Sequence, residues 1–276
     1  MLALGDRDLV LTHDLLVEGI HYLPADPPAD VAWKLVAVNL SDLAAKGARP
    51  LGVLLGYPLA ADEPWDAAFA DGLREALASF GTPLLGGDTV AAPAAPRTLG
   101  LTAIGETAPG AAPSRAGARA GDTLWVTGAI GAAGLGLTMA RGGAGRPEWL
   151  AAYRRPAPRL AEGQALAPLV HAMADVSDGL LIDAGRMAAA SGLAIEIALG
   201  AIPLPAGAPA DRAGRLTAAT AGDDYQLLFA APPDFAPPPL GVPLTRVGHF
   251  APGAGLTLTD GGAPVPLPDR LGYEHG

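Results

Sequence analysis

The chain has 276 residues, half of them hydrophobic and 5% aromatic, with a formal charge of −10 and no cysteine. That length suits two modest α/β domains or one large one. The negative balance argues against nucleic acid or an anionic membrane as the main partner, and the lack of cysteine excludes disulfides, thiolate nucleophiles and cysteine-based metal sites. Of the 28 acidic residues 20 are Asp and 8 are Glu, a skew toward short carboxylates that leans toward ion chemistry. Charges at Asp6, Arg7 and Asp8 come too early for a signal peptide and no apolar run reaches spanning length, so the expected location is the cytoplasm.

In chain order, residues 9–12 read as a strand that delivers His13 and Asp14 to its end. Residues 29–39 have helical spacing, with Val31, Leu35 and Val38 on one face. There Ser41 and Asp42 cap a short Ala-rich segment that stops at Gly47 and Pro50. Residues 51–57 read as a buried strand. Residues 64–80 form the clearest amphipathic helix, in which Trp65, Phe69, Leu73 and Leu77 share a stripe that faces a core. Residues 83–89 are a strand running into a tight turn at Gly86-Gly87, with Asp88 beyond it, and residues 98–106 alternate like a strand.

A connector rich in Gly, Pro and Ala, residues 108–120, carries Ser114 and Arg115. After a strand at 122–128, glycines 128, 131, 134 and 136 lead into a helix; their spacing matches neither a dinucleotide fingerprint nor a P-loop. Helix packing and phosphate contact explain them equally well. Arg154, Arg155 and Arg159 read as a solvated helix start, residues 160–174 as a helix, and residues 193–199 as a strand. Asp175, Ser177 and Asp178 gather at the start of the next helix, where its N-terminus favours phosphate and metal. Asp223 and Asp224 are adjacent carboxylates before a strand, so one faces solvent or a ligand.

Strand-end aspartates and Gly-rich turns without an evident nucleophile fit phosphoryl transfer between two polyanions, in which positioning and charge neutralisation do most of the chemistry. Residue physics stops there. The segments at residues 12–21, 39–48, 86–89, 114–115, 175–180 and 223–225, taken in order, closely resemble thiamine-monophosphate kinase. That family belongs to the superfamily of aminoimidazole-ribonucleotide synthetase and selenophosphate synthetase.

The resemblance implies an α/β (α+β) fold of two domains like that of aminoimidazole-ribonucleotide synthetase. Residues 1–110 would be the N-terminal ATP- and metal-binding domain that forms a homodimer, and residues 111–276 the C-terminal α/β domain. It implies transfer of the ATP γ-phosphoryl group to thiamine monophosphate, with several Mg²⁺ ions on Asp14, Asp42, Asp88, Asp175 and Asp178. Asp42 and Asp178 would be catalytic. Gly87, Asp88, Arg115 and Ser177 would contact ATP, and His21, Asp223 and Tyr273 the thiamine phosphate.

Four departures accompany the match. The family's Gly-Asp-Asp segment would lie upstream of Met1, and His13 stands where a Thr is usual. Asp223 and Gln226 both replace a usual Glu. The alternative functions are a superfamily enzyme with another acceptor, or a relative that binds nucleotide or thiamine phosphate without turnover.

Overall fold

The computed structural model describes residues 1–59, 62–92 and 96–274. The first half runs β1 (Leu2–Leu4), β2 (Arg7–Val17), α1 (Pro28–Ala44), β3 (Arg49–Leu59), α2 (Glu63–Ser79), β4 (Leu84–Ala91) and β5 (Thr98–Thr107). These strands form one sheet in the order β1-β2-β5-β3-β4. β5 pairs antiparallel with both β2 and β3, and β3 pairs parallel with β4. That parallel pair requires a crossover, and α2 supplies it. Both helices cover one face, where Val10, Leu16, Val53, Leu35 and Phe69 meet in one core. The opposite face carries Leu11, Leu15 and Leu54, all exposed.

The second half runs β6 (Thr123–Thr127), α3 (Ala132–Ala140), α4 (Pro147–Arg154), α5 (Leu160–Leu166), β7 (Ala172–Asp175), α6 (Leu180–Ala190), β8 (Leu193–Ala198), α7 (Arg212–Thr220), β9 (Leu227–Ala231), β10 (Leu244–Pro252), β11 (Gly255–Asp260) and β12 (Ala263–Val265). Its strands follow the order β12-β11-β8-β10-β6-β9-β7. Only the β8–β11 pair is parallel among the described pairs. β7 and β9 are buried along their whole length. Among the described residues, no helix is long and apolar enough to cross a membrane.

α1 joins the halves. Pro28 opens it at a position where a missing amide costs nothing, and Val31, Leu35 and Val38 face the first sheet. Its end, Ala44 and Ala45, packs in a separate cluster with Leu166, Met173, Leu227 and Phe229 of the second half. The helix buries nearly every side chain from Val31 to Ala44.

Several expectations change. His13 and Asp14 lie inside β2 rather than at its end, because β5 offers partners along all of residues 8–17. Ser41 and Asp42 sit within α1 instead of capping a second helix; tertiary hydrogen bonds satisfy the side chains that would otherwise compete with helix. β4 passes straight through Gly86 and Gly87, and a Cβ on Gly87 would meet the Leu55 carbonyl oxygen at 2.0 Å, so close strand approach, not a turn, requires glycine. Residues 160–174 divide into α5, a 3₁₀ turn at Ala167–Leu169 and β7, since β9 supplies a ladder for Ala172–Asp175. Arg154 and Arg155 are no solvated helix start: they close α4 with carboxylate partners, Arg154 on Asp26 and Arg155 on Asp30 and Glu75.

Gly163 of α5 fixes how closely α1 can approach, because a Cβ there would lie 2.0 Å from the Ala44 carbonyl oxygen. Helical Gly→Ala changes ordinarily stabilise, but Gly163→Ala is expected to destabilise the chain by about 1–3 kcal/mol through overpacking. Urea denaturation measures the sign, and a more stable variant would refute this packing argument.

Candidate active site

The last two turns of α1 build one wall of a cleft. Asn39 and Ser41 are polar yet fully buried, which requires partners. Asn39 Oδ1 accepts the Asp14 amide at 3.0 Å while its Nδ2 donates to the Leu35 carbonyl at 2.9 Å. β1 covers only Arg7–Leu9 of β2, so further along this edge a side chain can take an amide. Ser41 Oγ donates to Asp175 Oδ2 at 2.6 Å, and Thr12 Oγ1 donates to Asp42 Oδ2. Three elements (β2, α1 and β7) thus present Asp14, Asp42 and Asp175 to one space.

That space is a cavity of about 850 Å³. Asp14, His21 and Asp42 line it from the first half. Asp175, Ser177, Asp178, Asp223 and Tyr273 line it from the second. Gly87, Asp88 and Arg115 are not among its lining residues. Asp88 lies on β4, at the open edge of the first sheet, where it accepts the Thr89 amide.

Burial foremost, with the neighbouring Asp42 charge, raises the Asp14 carboxyl to about 6; His13 opposes the shift. Asp175 is pushed up by burial and by Asp42, while the Ser41 hydrogen bond pulls it down. Burial and nearby Arg115 lower Lys46, against Asp42 and Asp175, which raise it. The cleft's ion pairs form elsewhere: Lys34 binds Asp223, and Arg186 binds Asp178 and Asp183. Among the described residues, Asp14, Asp42 and Asp175 have no such pair.

Two carboxylates to which sequence reasoning gave no role of their own shape the walls. Asp183 Oδ2 accepts the amides of Ser177, Asp178 and Gly179 at 3.0–3.2 Å. The amides of the turn that leads into α6, expected to be open to phosphate, are therefore already taken within the chain. Asp224 turns inward and accepts the Gly131 and Ala133 amides, capping α3, with its carboxyl raised to about 7 by burial. Asp223 faces the cavity instead. Arg141 and Leu137, at the end of α3, also line the cleft and carried no signal in sequence.

Among the described residues, no three His, Cys, Asp or Glu side chains converge closely enough to hold a metal alone. Mg²⁺ does not need such a cage: it uses one or two carboxylates, water and substrate phosphate oxygens. Buried carboxylates whose charges oppose one another, with oxygen donors and no cationic partner, fit that ion.

Family models describe the two halves separately. Residues 1–107 match the AIR synthase related protein, N-terminal domain, and residues 119–236 match the AIR synthase related protein, C-terminal domain. A thiamine-monophosphate kinase of Caulobacter vibrioides is 39% identical over 98% of this chain and 81% of its own length. The crystal structure of thiamine-monophosphate kinase from Stenotrophomonas maltophilia K279a superposes with a TM-score of 0.84 at 34% identity, covering 95% of this chain and 87% of that one. AaThiL complexed with AMPPCP and TMP gives 0.85 at 28% identity, covering 99% and 89%.

Protons and a divalent cation compete for the same carboxylate oxygens. The affinity of the cleft for Mn²⁺, read by paramagnetic resonance, is expected to fall as pH drops through about 6, and Asp14→Asn to flatten that dependence. An affinity indifferent to pH there would remove Asp14 from the ligand set.

Proposed function

We propose that this chain, which belongs to the thiamine-monophosphate kinase family, uses Mg²⁺ to pass the γ-phosphoryl group of ATP directly to thiamine monophosphate in the cleft between its two halves. Thiamine diphosphate and ADP are the products. The observation that carries this reading is the convergence of Asp14, Asp42 and Asp175, without cationic partners among the described residues, beside His21, Asp223 and Tyr273 in one cavity.

Asp14, Asp42, Asp175 and Asp178 are the residues that would hold Mg²⁺ in this cleft, with Asp88 contributing from the β4 edge. When bound, Mg²⁺ neutralises phosphate charge and lets two polyanions approach. The chain supplies orientation. Thr12 and Ser41 each spend a hydroxyl proton on a carboxylate oxygen, fixing the planes of Asp42 and Asp175. Gly87, Asp88, Arg115 and Ser177 would contact ATP; His21, Asp223 and Tyr273 would hold the acceptor. The acceptor's own phosphate oxygen is the nucleophile, so no residue becomes phosphorylated. Leu137 and the apolar side of β2 keep part of the wall dry, which strengthens the electrostatic contacts beside them.

The exposed face of the first sheet supports a homodimer. Leu11 is 51% exposed, Leu15 49% and Leu54 41%, an apolar group on one sheet face that a monomer would leave in water.

The chain supplied with Mg-ATP and thiamine monophosphate is expected to form thiamine diphosphate, and EDTA to stop it. Asp42→Asn and Asp178→Asn should each lower kcat by about 10²-fold or more. Undiminished turnover would strike the substituted residue from the machinery, and no product from the unsubstituted chain would overturn the reading. Light scattering is expected to give twice the 27.6 kDa chain mass, and Leu54→Asp to give one chain mass; a monomeric parent would refute the dimer.

A further inference from the structure

We infer that Lys34 is a positioning residue for the acceptor, holding Asp223 and the His21 loop at one setting across the junction of the two halves. The inference rests on the functional reading above for the identity of the acceptor. Its geometry is independent of that reading.

Lys34 sits on the buried face of α1, and its side chain is 3% exposed. A lysine so placed is costly unless its ammonium protons are used. They are: Nζ donates to Asp223 Oδ2 at 2.7 Å and to the His21 carbonyl oxygen at 3.1 Å. The ammonium also lies 4.3 Å from the centre of the Tyr153 ring, a cation–π contact strengthened by burial. Tyr153 is itself anchored by its hydroxyl on Asp26 Oδ2 at 2.8 Å, and Asp26 accepts the Leu23 amide. One cation therefore joins the His21–Asp26 loop, which follows β2, to the segment that leads into β9.

The Asp223 segment needs such a clamp. Asp223 has φ of 69° and Tyr225 has φ of 49°, left-handed conformations that side-chain-bearing residues adopt at a cost. Two backbone bonds hold them there, from the Asp223 amide to the Ser177 carbonyl and from the Tyr225 amide to that of Val176, each 2.8 Å. The carboxylate is then fixed on both sides: Lys34 takes Oδ2, and the Tyr225 hydroxyl donates to Oδ1 at 3.0 Å. A carboxylate has about four lone-pair sites, so two remain for a ligand in a defined plane. Asp223 remains partly exposed, at 34%, on the cavity side.

A purely structural ion pair would lower stability when cut and leave substrate preference alone. A positioning pair changes the acceptor's KM selectively. Lys34→Met keeps the length and apolar stem while removing both bonds. The KM for thiamine monophosphate is expected to rise on the order of tenfold or more, as when a charge-assisted hydrogen bond is lost, with the KM for ATP unchanged. Since Lys34 acts through Asp223, the Lys34→Met/Asp223→Asn double variant should be no worse for the acceptor than the more impaired single variant.

Equal rises in both KM values, additive single effects, or a lowered Tm with both KM values unchanged would each overturn the inference. Those results require an active parent. A parent chain that makes no thiamine diphosphate would overturn the functional reading, and this inference with it.

Discussion

A hydrogen bond between a buried hydroxyl and a buried carboxylate, Ser41 to Asp175, holds the two halves at the point where the cleft opens. Neither group is tolerable alone in that setting: the hydroxyl would be unsatisfied and the carboxylate would lose a neutral donor. The surrounding packing serves the same junction. Ala44 and Ala45 are small, Gly163 lets α5 reach the α1 backbone, and Leu166, Met173 and Phe229 close the apolar side. The end of α1 is thereby a shared wall, with Asn39 and Asp42 turned toward β2 and Ser41 toward β7.

Such a wall concentrates charge at a place where folding gains little from it. Burial above all, and then repulsion from Asp42, lifts Asp14 and Asp175 from ordinary carboxylate behaviour, and that rise records the cost. A fold selected for stability alone would replace them with apolar groups. The hydroxyls of Thr12 and Ser41 and the nearby Lys46 moderate the strain without removing it. The unbalanced remainder leaves the cleft wall net negative.

How much of this could be read from the sequence depended on whether a residue's role was local. The α2 stripe was legible because Phe69, Leu73 and Ala76 obey helical spacing and meet the core as that spacing requires. The aspartates of the cleft were singled out by residue type and turn context, and the family resemblance supplied their roles. Interactions between distant segments were hidden. Ser41 looked like a cap because its partner lies 134 positions away. Gly86 and Gly87 looked like a turn because only the pairing of β3 with β4 shows how near Leu55 comes. Asp183 and Asp224 received no role of their own, since their work, accepting backbone amides, leaves no pattern along the chain. Lys34 was masked by the apolar residues around it.

The hold of Asp183 on the turn before α6 has an electrostatic outcome for the entrance. A helix start with free amides attracts any anion, cation-loaded or bare. Here the amides of residues 177–179 are already spent on a carboxylate, and the wall opposite is acidic as well. An unaccompanied polyphosphate entering this cleft approaches a surface of its own sign. The same molecule carrying divalent counter-ions has less negative charge and meets less repulsion. The turn before α6 therefore adds no attraction for a bare anion to a wall that is already acidic.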